Sequence, residues 1–175
     1  MLKSPAPPPS TETGAHGLDP VLFREGMSRV AAAVHVVTTD GPFGLAGFTA
    51  TAVTPVTDKP ASLLVCVNTA ARSAQALLAN GVFCVNVLNG SDQFLANVFA
   101  GRTELQGPDR FSKGEWDKLV TGAPALATSL VSFDCRLDDA RVVATHHVII
   151  GEIVSIRLGA AKPALVYQRR LYHDL

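Results

Sequence analysis

GFTATAVTPVTDKPASLLVCVN, residues 47–68, sets the frame for the whole chain. A Gly-led strand of small and hydroxyl side chains comes first, running from Gly47 through Thr49, Ala50, Thr51 and Ala52 to Val53. A polar break follows at Thr57-Asp58-Lys59-Pro60. A fully apolar strand, Leu63 to Val67, then ends at Asn68. A purely structural strand more often carries Val, Ile or aromatic residues throughout. Small side chains let a flat ligand lie close to backbone, where hydroxyls and N–H groups can bond its polar edge. The competing reading is a strand that needs small residues to pack or curve.

Upstream, Asp19-Pro20 reads as a helix cap with proline in the first turn. Leu22, Phe23, Met27, Val30 and Ala31 recur at helical spacing, which predicts one amphipathic helix over 20–33. Val34 to Thr39 is β-branched and predicts a strand. Asp40-Gly41-Pro42 and Gly44 mark a turn, so this strand forms a hairpin with 45–54. Downstream, Ala71 to Ala79 is Ala/Leu-rich and helical, stopped by Asn80-Gly81. Val82 to Leu88 is a buried strand, and Ser91-Asp92 caps a second short helix that runs to Ala100 and is closed by Gly101.

Residues 102–124 are polar and rich in Gly and Pro, a long connection of the kind that is usually functional or mobile. Ser129 to Leu137, Arg141 to Leu158 and Ala164 to Tyr167 complete the strands, with Asp138-Asp139 read as a turn pair and 158–163 as a turn. The expected fold is mainly β: a small antiparallel barrel with peripheral helices.

Composition narrows the function. The chain has 175 residues, enough for one domain with a sizeable core. Residues 1–18, with their prolines, read as a disordered tail without a secretion signal, and 19–175 as the domain. Fifteen basic and fifteen acidic residues cancel, and no basic run appears, so nucleic acid is not an expected partner. No apolar stretch is long enough for a transmembrane helix. Cys66, Cys84 and Cys135 sit in apolar strands without metal-ligand spacing, which suits a reducing cytoplasm and predicts no metal. GxGxxG and GxxxxGK[ST] are both absent, which argues against Rossmann and P-loop binding.

Three further segments carry possible chemistry. Asn68 to Ser73, NTAARS, joins a strand end to a helix start, where unpaired N–H groups attract phosphate and Arg72 adds a fixed charge. An ordinary helix start with a surface arginine explains it equally well. Thr145-His146-His147 opens a strand, and adjacent strand residues face opposite ways, so the two histidines cannot serve one site. Arg169-Arg170-Leu171-Tyr172-His173 closes the chain and also reads as a solvated basic terminus.

Arg24 to Met27, Ala32-Ala33-Val34, Thr38-Thr39, TATAV (49–53), VTD-x-P (56–60), VC-x-N (65–68), CVNVLN (84–89), FAG (99–101) and RFS (110–112) are similar, in order and spacing, to the short-chain flavin reductases. These are reductase components of two-component flavin monooxygenases, such as that of 4-hydroxyphenylacetate 3-monooxygenase. The resemblance spans residues 22–173. It implies a split-barrel, FMN-binding fold of Greek-key type working as a homodimer. It also implies an NAD(P)H:flavin oxidoreductase that passes hydride from NADH, or NADPH, to FMN or FAD and feeds a separate monooxygenase. The residues it implies for flavin are Thr49, Ala50, Thr51, Ala52, Val53, Asn68, Ala71, Arg72, Ser73, Phe99 and Gly101. Aligned on Glu152-Ile153, it selects His146 for the nicotinamide, with Tyr172 as a stacking partner. Many members have Asn-Ser where this chain has Thr51-Ala52, which removes a hydroxyl near the flavin. No catalytic side chain is implied, because the cofactors exchange the hydride. The competing class is a flavin-loaded electron carrier with little NAD(P)H activity.

Overall fold

The computed structural model describes residues 17–175, so the tail expected over 1–18 lies almost wholly outside the described residues. Helix α1, Pro20–Ser28, starts as expected: the Asp19 carboxylate accepts from the Val21 N–H at 2.8 Å, and Pro20 opens the first turn. It ends five residues earlier than its apolar spacing predicts. Ala32–Ala33 instead forms a short strand, β1, pairing with Tyr167 and Val166. That pairing outweighs the helix propensity of alanine. The apolar face of α1 is turned outward: Leu22, Phe23 and Met27 are 44%, 56% and 53% exposed.

β2 (His35–Thr39) and β3 (Ala46–Ala50) form the expected antiparallel hairpin, with Val37 opposite Phe48. The Gly47–Val53 stretch is not one strand. It breaks at Thr51-Ala52, and β4 (Val53–Asp58) begins a second hairpin with β5 (Ala61–Asn68). The polar residues 57–58, expected as a break, are thus the end of an exposed edge strand. Helix α2 (Arg72–Asn80) stops at Gly81, which takes the left-handed conformation at φ 70°.

β6 (Val82–Val87) leads to a 3-10 turn at Gly90–Asp92 and helix α3 (Gln93–Phe99). Asp92 stands at the α3 N-cap as expected but makes no side-chain cap bond there; its carboxylate instead completes a capping box with Asn89 around the 3-10 turn. A second 3-10 segment, Gly107–Ser112, and the short pair β7 (Trp116–Lys118) and β8 (Pro124–Leu126) organise the long connection. β9 (Val131–Val143) and β10 (His146–Leu158) form a long hairpin turning at Ala144-Thr145, so Arg141 belongs to the first strand and not to the second. Asp138-Asp139 is no turn: the register slips between Asp139 and Leu137, leaving Asp138 as a bulge. β11 (Leu165–Gln168) and β12 (Leu171–Asp174) close the chain as a hairpin, so the basic terminus is partly strand.

Seven strands make one antiparallel sheet in the order β3-β2-β6-β9-β10-β5-β4. Its two edges, β3 and β4, are consecutive in sequence and joined only by Thr51 and Ala52. Laid flat, seven strands at ~4.8 Å spacing would hold those edges roughly 29 Å apart. Three Cα–Cα steps reach at most ~11 Å. The sheet is therefore rolled on itself.

Val37, Phe48, Val65, Phe83 and Ile149 fill one core together with Leu77 of α2. Val34, Val36, Leu88, Val98, Phe99 and Leu165 fill a second core under α3. Alternate residues of β2 serve the two cores, which is why all five of its residues are buried. Among the described residues, no helix is long and apolar enough to cross a membrane.

Candidate functional site

A cleft of about 830 Å3 opens where β3 parts from β4. Cofactor-sized clefts run from ~300 to ~1,000 Å3, so it has room for a dinucleotide-sized ligand. β3 and the 51–52 link form one wall, the end of β5 and the start of α2 a second, and the end of α3 with the 3-10 segment a third. Thr49, Ala50, Thr51, Ala52, Asn68, Ala71, Arg72, Ser73, Phe99, Gly101 and His146 all line it. Val53 and Tyr172 do not. Val53 packs against the first core, and Tyr172 stands in a neighbouring cavity.

The wall beside β3 is made of small residues for a visible reason. A Cβ built on Gly47 would lie 2.8 Å from a Phe99 ring carbon and 3.0 Å from the Val37 carbonyl oxygen. The Thr49 hydroxyl is already used: it donates to the Ala96 carbonyl at 2.7 Å and ties β3 to α3. The Ala52 carbonyl accepts from the Cys66 N–H at 3.0 Å, closing the gap below the link.

At the second wall, Asn68 Oδ1 accepts from the Ala70 N–H at 2.8 Å and shapes the turn into α2. Ala71 stands at the N-cap and supplies no side-chain acceptor. The Ala74 N–H donates to the Ala71 carbonyl at 3.0 Å, while the N–H groups of Arg72 and Ser73 have no side-chain cap at the cleft. The Thr69 N–H donates to the Thr145 carbonyl at 3.0 Å, which fixes the β9–β10 turn against this corner. That turn delivers His146, paired across the sheet with Asn68; His147, one residue on, is not among the lining residues.

The third wall holds what the sequence left unassigned. Gln106, Gly107 and Arg110 of the long connection line the cleft, and Arg110 Nε donates to the Leu105 carbonyl at 3.3 Å. The connection's length was a signal for this, and Arg110 stands in the RFS motif. Gly101, left-handed at φ 71°, would bring a Cβ to 3.4 Å from Arg110 Nη2. Phe99 is only 2% exposed and is chiefly core. It meets Phe111 and Trp116 edge-on, at ring-centroid distances of 4.9 and 5.6 Å. Cys66, which sits in an apolar strand, is half-buried and reaches the cleft. Cys84 and Cys135 are buried; burial pushes the Cys84 thiol up to about 12, and Cys135 is raised as well. No Asp or Glu of the described residues lines the cleft, while two arginines do.

Beside it lies a smaller cavity of about 170 Å3 that shares Thr49, Thr51 and Ala100 with the cleft and adds Arg102, Tyr167 and Tyr172. The tyrosine rings are 5.1 Å apart.

An acid-free cleft with a small-residue wall, an uncapped helix start and two arginines fits a flat ring system carrying phosphate. Comparison with known proteins identifies the family. Residues 27–175 match the flavin reductase like domain. The FMN reductase (NADH) RutF 1 of Methylorubrum extorquens is 46% identical over 165 residues, 94% of this chain and 81% of that protein. BorF, the flavin reductase component of a bacterial two-component tryptophan halogenase, superposes with a TM-score of 0.83 at 31% identity, covering 90% of this chain and 98% of its own. The Streptomyces globisporus C-1027 NADH:FAD oxidoreductase SgcE6, solved in complex with NAD and FAD fragments, gives 0.82 at 25% identity, with 92% and 97% covered. The chain is thus an oxidoreductase and belongs to the flavin reductase family.

Proposed function

We propose that this enzyme passes a hydride from NADH to FMN held in the cleft, and releases the reduced flavin to a separate flavin-dependent monooxygenase. One observation carries the reading: the uncapped start of α2, with Arg72 and Ser73, shares an acid-free cleft with the small-residue wall 47–52. FMN is preferred over FAD, and NADH over NADPH, on the names of the relatives with the higher identity.

In this reading Arg72, Ser73 and the first-turn N–H groups of α2 hold the flavin phosphate, with Asn68 and Ala71 shaping the turn. Thr49, Ala50, Thr51 and Ala52 let the ring lie against backbone, Val53 supports the link from behind, and Phe99 and Gly101 set the far wall. When bound, the flavin is the hydride acceptor, and that chemistry is its own. The chain orients the two rings and excludes water between them. Backbone N–H groups and the two arginines favour the negative charge that arrives with the hydride. His146 at the cleft stands against the nicotinamide, with Tyr172 in the adjoining cavity as its stacking partner. No side chain needs to take a proton in the hydride step.

The rolled sheet supports a split barrel of Greek-key type, and the outward apolar face of α1 supports a homodimer. The unpaired thiols support a reducing cytoplasm. Gel filtration followed by a rate assay tests the function. A protein that elutes colourless and oxidises NADH only with added flavin supports it. A protein that elutes yellow and leaves NADH intact is the electron carrier instead.

A further inference from the structure

Arg72 and Arg110 enter the cleft from opposite sides of one strand. Helix α2 packs into the first core and α3 into the second, and alternate residues of β2 show that these cores lie on the two faces of the sheet. β3 is an edge strand of that sheet and touches both helices. Arg72 opens α2. Arg110 belongs to the 3-10 segment Gly107–Ser112, whose Phe111 packs against the second core beside Phe99 and Trp116. A group lying across the edge of β3 in the cleft therefore has a guanidinium on each side. Arg110 is also held ready. The Lys113 N–H closes the segment on the Arg110 carbonyl at 3.2 Å. Arg110 Nε donates to the Leu105 carbonyl at 3.3 Å, which leaves both Nη groups without a partner among the described residues. Gly101 keeps the space beside them open, since a Cβ there would stand 3.4 Å from Nη2. Ion pairs of the described residues use neither arginine. A half-buried guanidinium with free donors suits a phosphate.

We propose that Arg110 selects FMN over FAD by closing, opposite Arg72, on the terminal phosphate of FMN. This rests on the cleft being the flavin site. FMN ends in a phosphate monoester, which carries about −1.5 to −2 charge at pH 7 and three strong acceptor oxygens. In FAD the same phosphate is a singly charged diester with fewer free oxygens, and riboflavin ends in a hydroxyl. Two cations from opposite sides match the monoester. Against the diester, one of them loses its acceptor. Arg72 at the helix start meets the charge that both nucleotides carry, and Arg110 meets the charge that only the monoester adds. The long connection 102–124 thus serves as part of the flavin site through a single side chain.

The test is fluorescence titration of the full chain with FMN, FAD and riboflavin. Arg110→Gln keeps a polar stem and removes the charge. It is expected to raise Kd for FMN about tenfold or more, for FAD about threefold or less, and for riboflavin by less than about twofold. Unchanged riboflavin affinity also shows that the site is still folded. Arg110→Lys keeps the charge and loses the planar fork, so a loss of about threefold confined to FMN is expected. Far-UV circular dichroism identifies an unfolded variant, and if Arg110→Gln is unfolded the lysine variant decides. In a folded variant, equal losses for all three flavins, a loss for FAD as large as for FMN, or no loss for any of them overturns the proposal. Failure of the unmodified protein to bind any flavin would instead sink the reading of the cleft itself.

Discussion

Gly47 faces the edge of the Phe99 ring so closely that no Cβ fits between them. The ring cannot easily retreat, because Phe111 and Trp116 hold it from the other side. This contact sets the distance between β3 and α3, and with it the width of the cleft. Gly47→Ala should cost about 1–3 kcal/mol of stability, the usual penalty for overpacking. Denaturant unfolding would read the loss, and flavin affinity should fall with it.

The Thr49 hydroxyl donates to the Ala96 carbonyl, so its hydrogen is engaged within the fold. That carbonyl also accepts from the Ala100 N–H at 3.0 Å, so it keeps a partner if the threonine is lost. Thr49→Val should therefore cost only ~0.5–1.5 kcal/mol of stability. Flavin affinity by fluorescence titration should change less than for Arg72→Ala.

Arg72→Ala should weaken flavin binding more than it slows hydride transfer. A charge-assisted bond is worth ~1.5–3 kcal/mol, which is a ~10- to 150-fold rise in Kd. Unchanged flavin affinity would remove Arg72 from the phosphate site.

His146→Ala should raise KM for NADH and leave flavin affinity nearly intact, while His147→Ala should do little to either. The two residues alternate across β10, and only His146 lines the cleft. The reverse outcome would mean that the nicotinamide approaches from the other face of β10.

His35 is buried against the Ala50 carbonyl, and burial holds its pKa below the usual histidine value. As pH falls through ~6.5, the unfolded chain takes up a proton that the native imidazole refuses. Stability is thus full above that value and is lost toward the depressed native pKa. From about pH 7.5 to about pH 5.5, the unmodified protein should lose up to ~1.4 kcal/mol that His35→Gln does not lose, the ceiling set by proton uptake in the unfolded chain. Denaturant midpoints at the two pH values would measure the difference.

Local sequence carried the hairpins, and most of the residues that line the cleft, because both rest on short-range signals. The turn at 40–44, the stop at Gly81 and the alternation at His146-His147 are each written within a few residues. The errors have long-range causes. Ala32–Ala33 leaves α1 to pair with residues 166–167, far along the chain. Val53–Asp58 is an edge strand that pairs, among the described residues, with β5 alone, and it carries no alternation to read. The Asp138 bulge depends on register with β10, opposite Gly151, where a Cβ would strike the Phe83 ring. The Thr49–Ala96 bond joins residues 47 apart. That Tyr172 lines the smaller cavity with Arg102, and not the cleft itself, is likewise set by the fold and not by a motif, which has no distances.

The account stands most directly on a single-turnover experiment without oxygen. Protein mixed with stoichiometric FMN is rapidly mixed with NADH, and the oxidised-flavin absorbance is followed. The account predicts bleaching whose rate saturates with NADH, and Arg72→Ala should recover that rate once FMN is raised to fill the site. Bleaching no faster than for free FMN and NADH, or a rate that never saturates, would contradict a cleft that holds both rings together.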